Sequence, residues 1–385
     1  MAPQRTRSSR PASAHSAPLL TPRALNRATL DRQHLLRRTS ALGPKGAVAH
    51  LVGLQAQNVK PPYFALWSRL TGFRPEQLSA LIEARELVRI VTMRSTIHLH
   101  TADDVLTLRP LVQAARDREL KQFRGQLEGV DLERLAATVR GLVEERPYTM
   151  KEIRDVLSEQ WPDATPFALS LAARCALPLV QVTPRGLWGR SGRVALTTAE
   201  NWLGRAPGRV PAPDDTVLRY LAAFGPASVK DMQTWAGLTR LGEVFERLRP
   251  GLVTFRDENG VELFDLPDAP RPDEDTPAPP RFLPEFDNLL LSHADRTRVI
   301  PAEHWGRTWK GSQAFCTLLV DGFLAGVWRL EEGKGAGEGR AVLTVQPFGD
   351  LGRARREEVA AEGERLLAEM TSATSYDVRF GDVLG

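Results

Sequence analysis

The sequence predicts an α+β chain: tandem winged-helix modules, three by the pattern, followed by a C-terminal antiparallel β-barrel or sheet. Short capped helices followed by a strand–turn–strand pattern recur up to about residue 268 of the 385. A Pro- and acid-rich stretch then breaks the pattern. Beyond it the alternation is that of strands, closed by one long helix.

The first unit spans residues 23–125, after a basic tail (1–22) expected to be disordered. A helix is expected from Leu25 to Ala41, with Leu30, Leu35 and Leu36 inward. Pro44 opens a second through Val48, Leu51 and Val52, to be stopped by Pro61-Pro62. Pro75 opens a third, with Leu78, Leu81 and Ile82 on one face. Val88-Arg89-Ile90 and Thr96-Ile97-His98-Leu99 read as paired strands around a turn at Met93-Arg94-Ser95, and Thr101 with Asp104 caps the next helix.

In the second unit (126–210), Thr149 with Glu152 and then Thr165-Pro166 start helices. A hairpin follows, with Val180 and Val182 on one arm, Gly186 to Gly192 at the tip, and Val194 and Leu196 returning. In the third (211–268), Ser228 with Asp231 caps a helix ending at Gly237, Thr239 starts another, and Val253-Thr254-Phe255 pairs with Val261-Glu262-Leu263 across Asn259-Gly260. A linker (269–282) leads to the C-terminal part (283–385). There, residues 314–320, 323–330 and 340–346 read as strands, Asp321-Gly322 as a turn, and Leu351 to Thr371 as a helix.

Composition narrows the function classes. No apolar run approaches a membrane span, and the N-terminus lacks the apolar core of a signal peptide. Two cysteines, Cys175 and Cys316, make no disulfide framework and no metal-ligand cluster, so no metal is expected and a reducing, cytoplasmic setting is. The first 30 residues hold five arginines and no acid, while the whole chain is +4, so the remainder is about −1. Global charge is therefore weak support for nucleic-acid binding, and local patches must carry the case. The stretch Gly333 to Gly339 lacks the Gly-Lys-Ser/Thr ending of a P-loop, which excludes that mode of nucleotide binding, and no cofactor is expected.

Val48, Leu51, Val52 and Gln55 fall at i, i+3, i+4 and i+7, which puts the Gln55 amide on an apolar helical face. A buried amide costs free energy unless its donors and acceptors are paired. On an ideal helix Gln57 lies about 200° further round, so the two amides meet only if the helix ends near Asn58. The plainer alternative is that Gln55 caps a helix end while Gln57 is solvated.

The string Gly53-Leu54-Gln55-Ala56-Gln57-Asn58 resembles the Gln-x-Gln motif of the AlkZ-like winged-helix DNA glycosylases. Further strings in the same order resemble that family: Met93 to Leu99, Ser228 to Leu238, Leu283-Pro284-Glu285-Phe286-Asp287-Asn288, and Val320-Asp321-Gly322. Together the resemblance covers roughly residues 25–375, and a related branch carries Gln-x-Asp instead. It implies three winged helices and a C-terminal β-barrel forming a concave DNA-binding surface. It also implies excision of N7-alkylated purines and, in some members, unhooking of interstrand crosslinks.

Neutral amides suit that chemistry. An N7-alkylguanine is already cationic, so its departure needs little general-acid help. What remains is to place a water on the C1′ face and stabilise an oxocarbenium-like transition state. Gln55 and Gln57 are assigned jointly to that role, with Asn58 and His98 as possible support; a strand histidine is more often structural. No carboxylate accompanies the pair in sequence. Arg94 at a hairpin tip, with Arg185, Arg190 and Arg193 in the second wing, are the expected phosphate or minor-groove contacts. Asp287 reads as a local backbone acceptor. The function expected is a monofunctional, cofactor-free glycosylase acting on damaged duplex DNA as a monomer. The alternatives are a non-catalytic winged-helix DNA binder or transcription regulator, and a protein-contact scaffold.

Overall fold

The computed structural model describes residues 17–206, 212–311, 313–333 and 339–383. The basic tail lies outside these except for its last six residues, as does the Gly-rich stretch except Gly333 and Gly339. Among the described residues no helix is long and apolar enough to cross a membrane.

Strands β1 (Leu54–Gln55), β2 (Leu87–Val91), β3 (Ile97–Thr101), β4 (Tyr148–Thr149), β5 (Leu179–Gln181) and β6 (Ala195–Thr198) form one sheet in the order β1-β3-β2-β5-β6-β4. The first and second helix–hairpin units therefore share a sheet, joined where Arg89 pairs with Gln181 and Ile90 with Val180. The third hairpin, β7 (Val253–Arg256) with β8 (Glu262–Asp265), stands apart beside helices Asp214–Phe224, Val229–Ala236 and Gly242–Leu248.

In the C-terminal part follow β9 (Arg281–Leu283), β10 (Trp309–Lys310), β11 (Gln313–Ala314), β12 (Cys316–Val320), β13 (Phe323–Glu332), β14 (Arg340–Pro347) and β15 (Ser375–Phe380). The main sheet runs β15-β14-β13-β12-β9 and does not close, so the sheet alternative describes it and the barrel does not. It is not wholly antiparallel either: β15, reached through helix Gly352–Met370, adds parallel to β14. A crossover helix permits this parallel pairing, which a tight hairpin cannot.

Several capped starts fall where the sequence puts them. Thr149 with Glu152 and Ser228 with Asp231 make reciprocal capping boxes, and Thr101 and Thr165 accept the N–H three residues on. Helix ends differ more. The first helix is Pro22–Arg32 and the second Pro44–His50, both shorter than expected. Pro61-Pro62 does not end a helix but begins one, Pro61–Trp67, as proline at the first helical positions favours. The helix expected from Thr239 starts at Gly242, after Arg240 takes a positive φ of 62°.

The largest core joins the first unit to the C-terminal sheet: Val48, Leu54, Trp67 and Leu99 pack in one cluster with Phe282, Leu318, Trp328 and Leu367. Each large side chain so buried contributes roughly 1.5–3 kcal/mol. A second cluster takes Val52, Met93 and Leu108 of the first unit into the core of the third.

Candidate active site

Gln55 is not helical. The second helix stops at His50, Val52 and Gly53 take φ of +54° and +98°, and the chain leaves in β1, where Gln55 pairs with His98. Pairing continues one residue further, Ala56 N–H donating to Ile97 O at 2.7 Å. β1 ends at Gln55 and Gln57 lies in the bend beyond it, so the Gln55 side chain is buried and that of Gln57 exposed. The helical spacing had set them about 200° apart.

Four groups fix this segment. The Asn288 amide donates to the carbonyl of Gly53 at 2.8 Å. The ring of His100 lies over Gly53, where a Cβ would come within 2.3 Å of Nδ1. The Arg89 guanidinium, buried in β2, donates to Ala56 O at 2.7 Å and to Asn58 O at 3.4 Å, holding the carbonyls on both sides of Gln57. Arg94 Nη2 donates to Oε1 of Gln55 at 3.0 Å, which sets the amide's orientation.

Arg94 does not stand free at a hairpin tip. Its backbone passes Gly237, where a Cβ would lie 3.3 Å from Arg94 N, and Nη1 donates to the Trp235 carbonyl. Gly237 ends its helix in the left-handed region, and its missing side chain admits the tip. Burial, and then Arg296 nearby, pull the Arg94 pKa down to about 10, so it stays cationic at neutral pH. Arg89 is likewise pulled to about 10 by burial and by Arg185.

His98 and His100 are buried and stacked, with centroids 5.5 Å apart. Burial, then Arg94 and His100, push His98 well below its ordinary value, and burial pushes His100 to about 4. Both imidazoles are therefore neutral at physiological pH. His98 Nε2 lies 3.4 Å from Arg94 Nη2, so it backs the arginine that holds Gln55.

Gln57 is exposed and sits between two hollows. One, of about 760 Å³, is lined by Gln57, Asn58, Phe64, Glu285, Cys316 and Trp328 among others. The other, about 220 Å³ and mostly apolar, lies among Gln57, Ile90, Ile97, Met150, Leu179 and Leu196. The Gln57 Oε1 accepts only a long bond, 3.4 Å from Ile97 N–H. Asn58 donates to Oε1 of Glu285 at 3.0 Å.

Of the second-wing arginines, Arg190 and Arg193 are exposed. Arg185 is half-buried, its Nε without a hydrogen-bond partner among the described residues. The wing tip folds back on the first unit: Tyr63 donates its hydroxyl proton to Gly186 O at 2.7 Å, and Trp188 packs on Tyr63 at 4.9 Å.

Asp287 is a local acceptor, from Leu289 N–H at 3.0 Å, and more: it also forms a fully buried two-point ion pair with Arg69, at 2.7 and 2.9 Å. Sequence reasoning missed Arg89, Asn288 and Glu285 as parts of this site. Arg89 carried a signal, a cation between valine and isoleucine in a strand otherwise apolar inside. Asn288 and Glu285 lie in the family-like string Leu283 to Asn288, but nothing local assigned them to this site, because their partners lie 235 and 227 residues away.

The family model of AlkZ-like DNA glycosylases matches residues 48–368 of this chain. An interstrand DNA cross-link repair glycosylase of Streptomyces sahachiroi is 24% identical over 371 residues, covering 88% of this chain and 93% of that protein. The solved structure of the S. sahachiroi DNA glycosylase AlkZ superposes with a TM-score of 0.74 at 19% identity, over 94% of this chain and all of the other.

Proposed function

The chain belongs to the AlkZ-like DNA glycosylase family, and from that premise we propose that it hydrolyses the N-glycosidic bond of cationic N7-alkyl purines in duplex DNA. It acts as a monofunctional, cofactor-free monomer in the cytoplasm. Interstrand crosslinks joined through such purines fall within the same chemistry. The arrangement that carries the proposal is an amide in a short strand oriented by Arg94, followed two residues on by an exposed amide whose flanking carbonyls Arg89 holds and which lines a hollow of about 760 Å³. A surface glutamine pair serving only solubility has no need of such bracing.

The two amides divide the work. Gln55 has its oxygen turned toward a cation, Arg94, and serves as the anchored member. Gln57, with its oxygen only loosely engaged at the mouth, holds the attacking water on the C1′ face. The leaving base neutralises its own charge as it departs, so no strong acid is required at the base.

Three winged-helix modules, 23–125, 126–210 and 211–268, then a linker (269–282) and the C-terminal sheet (283–385), present this site to DNA. Exposed Arg190 and Arg193 engage phosphate, while Arg185 and Arg94 serve the protein's own packing.

Release of N7-methylguanine from a labelled duplex tests the proposal. Wild type is expected to release it, Gln57→Ala to lose about 10²-fold in single-turnover rate, and Gln55→Ala somewhat less, with duplex affinity unchanged. Arg190→Ala with Arg193→Ala is expected to weaken duplex binding and reduce its salt slope by about two, without changing the saturated rate. Normal excision by the double glutamine variant would sink the assignment; duplex binding without excision by wild type would favour a non-catalytic binder.

A further inference from the structure

The cations around the glutamine pair pose an electrostatic problem. Arg94, half-buried, touches Gln55, and Arg89, buried, holds the chain on both sides of Gln57. An oxocarbenium-like transition state adds positive charge at the sugar in front of them. Like charges repel, the more so where water is excluded, so a site holding only cations and neutral amides opposes the reaction.

The hollow that Gln57 enters contains the counter-charge. Glu285 is the one carboxylate among the described residues that line it, and the apolar hollow on the other side has none. Its side chain is held by a donor on each oxygen: Asn58 Nδ2 to Oε1 at 3.0 Å, and Cys316 Sγ to Oε2 at 3.1 Å. A carboxylate accepts about four hydrogen bonds, so each oxygen keeps capacity for a further donor such as water. Burial and then the Glu285 charge push the Cys316 thiol well above its ordinary range, so it remains a protonated donor and never a competing anion.

Lys60, Lys310 and Arg329 also line the hollow, and of these Lys60 pairs with Glu332 at 2.7 Å and Arg329 with Glu331 at 3.2 Å. Asn58 sits next to Gln57 in the chain, so the Asn58–Glu285 bond brings carboxylate and amide to the same wall of the hollow.

We propose that Glu285 is the anionic member of the active site, facing the positive charge that develops on the sugar and accepting a proton from the water held by Gln57. In that step the water oxygen bonds to C1′ and the C1′–N9 bond breaks, its electron pair staying on the base. The proton passes to a Glu285 oxygen and then to solvent. Asn58 and Cys316 are its positioning residues. The assignment rests on the glycosylase reading above and goes beyond the neutral-amide mechanism, since it supplies the carboxylate that the Gln-x-Gln segment lacks.

The test compares full-length wild type, Glu285→Gln and Glu285→Asp. Binding is measured to duplexes carrying either a cationic pyrrolidine abasic nucleotide, which mimics the oxocarbenium, or a neutral tetrahydrofuran abasic nucleotide. Wild type is expected to prefer the cationic duplex at least tenfold. Glu285→Gln should lose that preference while binding the neutral duplex within twofold, and Glu285→Asp should keep part of it. Single-turnover release of N7-methylguanine should fall about 10²-fold in Glu285→Gln, with unchanged half-saturation.

A merely structural Glu285 leaves the cation preference intact, and that result overturns the assignment. If wild type excises but shows no preference for the cation, the assignment also fails while the glycosylase reading stands. If wild type does not excise N7-methylguanine, the reading itself fails and takes Glu285's role with it.

Discussion

Gly53 and His100 show how tightly single residues define this site. The ring sits where any side chain at position 53 would have to be, and the positive φ there suits glycine alone. His98 and His100 stay neutral because burial raises the cost of charging them, and this ties stability to pH. Their folded pKa values lie below the unfolded value of about 6.5, so the unfolded chain binds more protons as pH falls. Their full contribution is present above pH ~6.5 and is lost as pH falls through the folded values, about 4 for His100. Each then removes about 1.4 kcal/mol per pH unit. Urea midpoints measured between pH 7 and 4.5 are expected to fall, and His98→Gln to flatten the slope; equal slopes in both proteins would contradict this account.

At the scale of elements, much of the architecture was legible and the helix ends were not. Caps at Thr149, Thr165 and Ser228, the Asn259-Gly260 hairpin and the helix after Leu351 were readable because their signals are local. Three helices of the first unit, Pro22–Arg32, Pro44–His50 and Pro75–Glu83, end in a way that hides itself. At Leu30/Leu35, Val48/Gly53 and Leu81/Glu86 the later N–H bonds back to the earlier carbonyl, five residues before it. This closes a Schellman motif whose left-handed position is occupied by His34, Val52 and Arg85. Glycine is the usual signal there, and without it the apolar spacing runs on past the true end. Gln55 was thus assigned the wrong geometry although the motif itself was identified. Val52 offsets its strained backbone by complete burial against the third unit's core.

The element most exposed to test is β2, since it carries Arg89. Arg89→Met keeps bulk but leaves the Ala56 and Asn58 carbonyls unpaired, at a cost of about 1–3 kcal/mol each where buried. We expect single-turnover excision at least tenfold slower with duplex affinity within twofold. Unchanged excision would show that the clamp does not position Gln57.

For the whole molecule, the first unit is the hub. It shares a sheet with the second, a core with the third and its largest core with the C-terminal sheet. Buried ion pairs follow the same plan: Arg32 with Asp265, Arg69 with Asp287 and Arg38 with Glu362. These long-range ties have no local signature, which is why the sequence read as a row of separate modules. Asp287→Asn leaves the Arg69 charge buried and uncompensated, at about 3–5 kcal/mol. A drop of that size in urea denaturation, within one cooperative transition, is expected; a loss below about 1 kcal/mol would show that Arg69 finds another partner or water.

Asn288 holds the loop before Gln55 from 235 residues further along the chain. At ribosomal speeds of about 5–20 residues per second, that interval is roughly 10–50 s. During it, the glutamine pair is already synthesised but lacks the brace that shapes its loop, and the Arg94 tip waits on Gly237 for its seat. The motif is therefore made long before its brace. A nascent or prematurely terminated chain can carry the whole Gln-x-Gln motif without that brace, so on the proposed reading excision is expected only once the C-terminal part has been made.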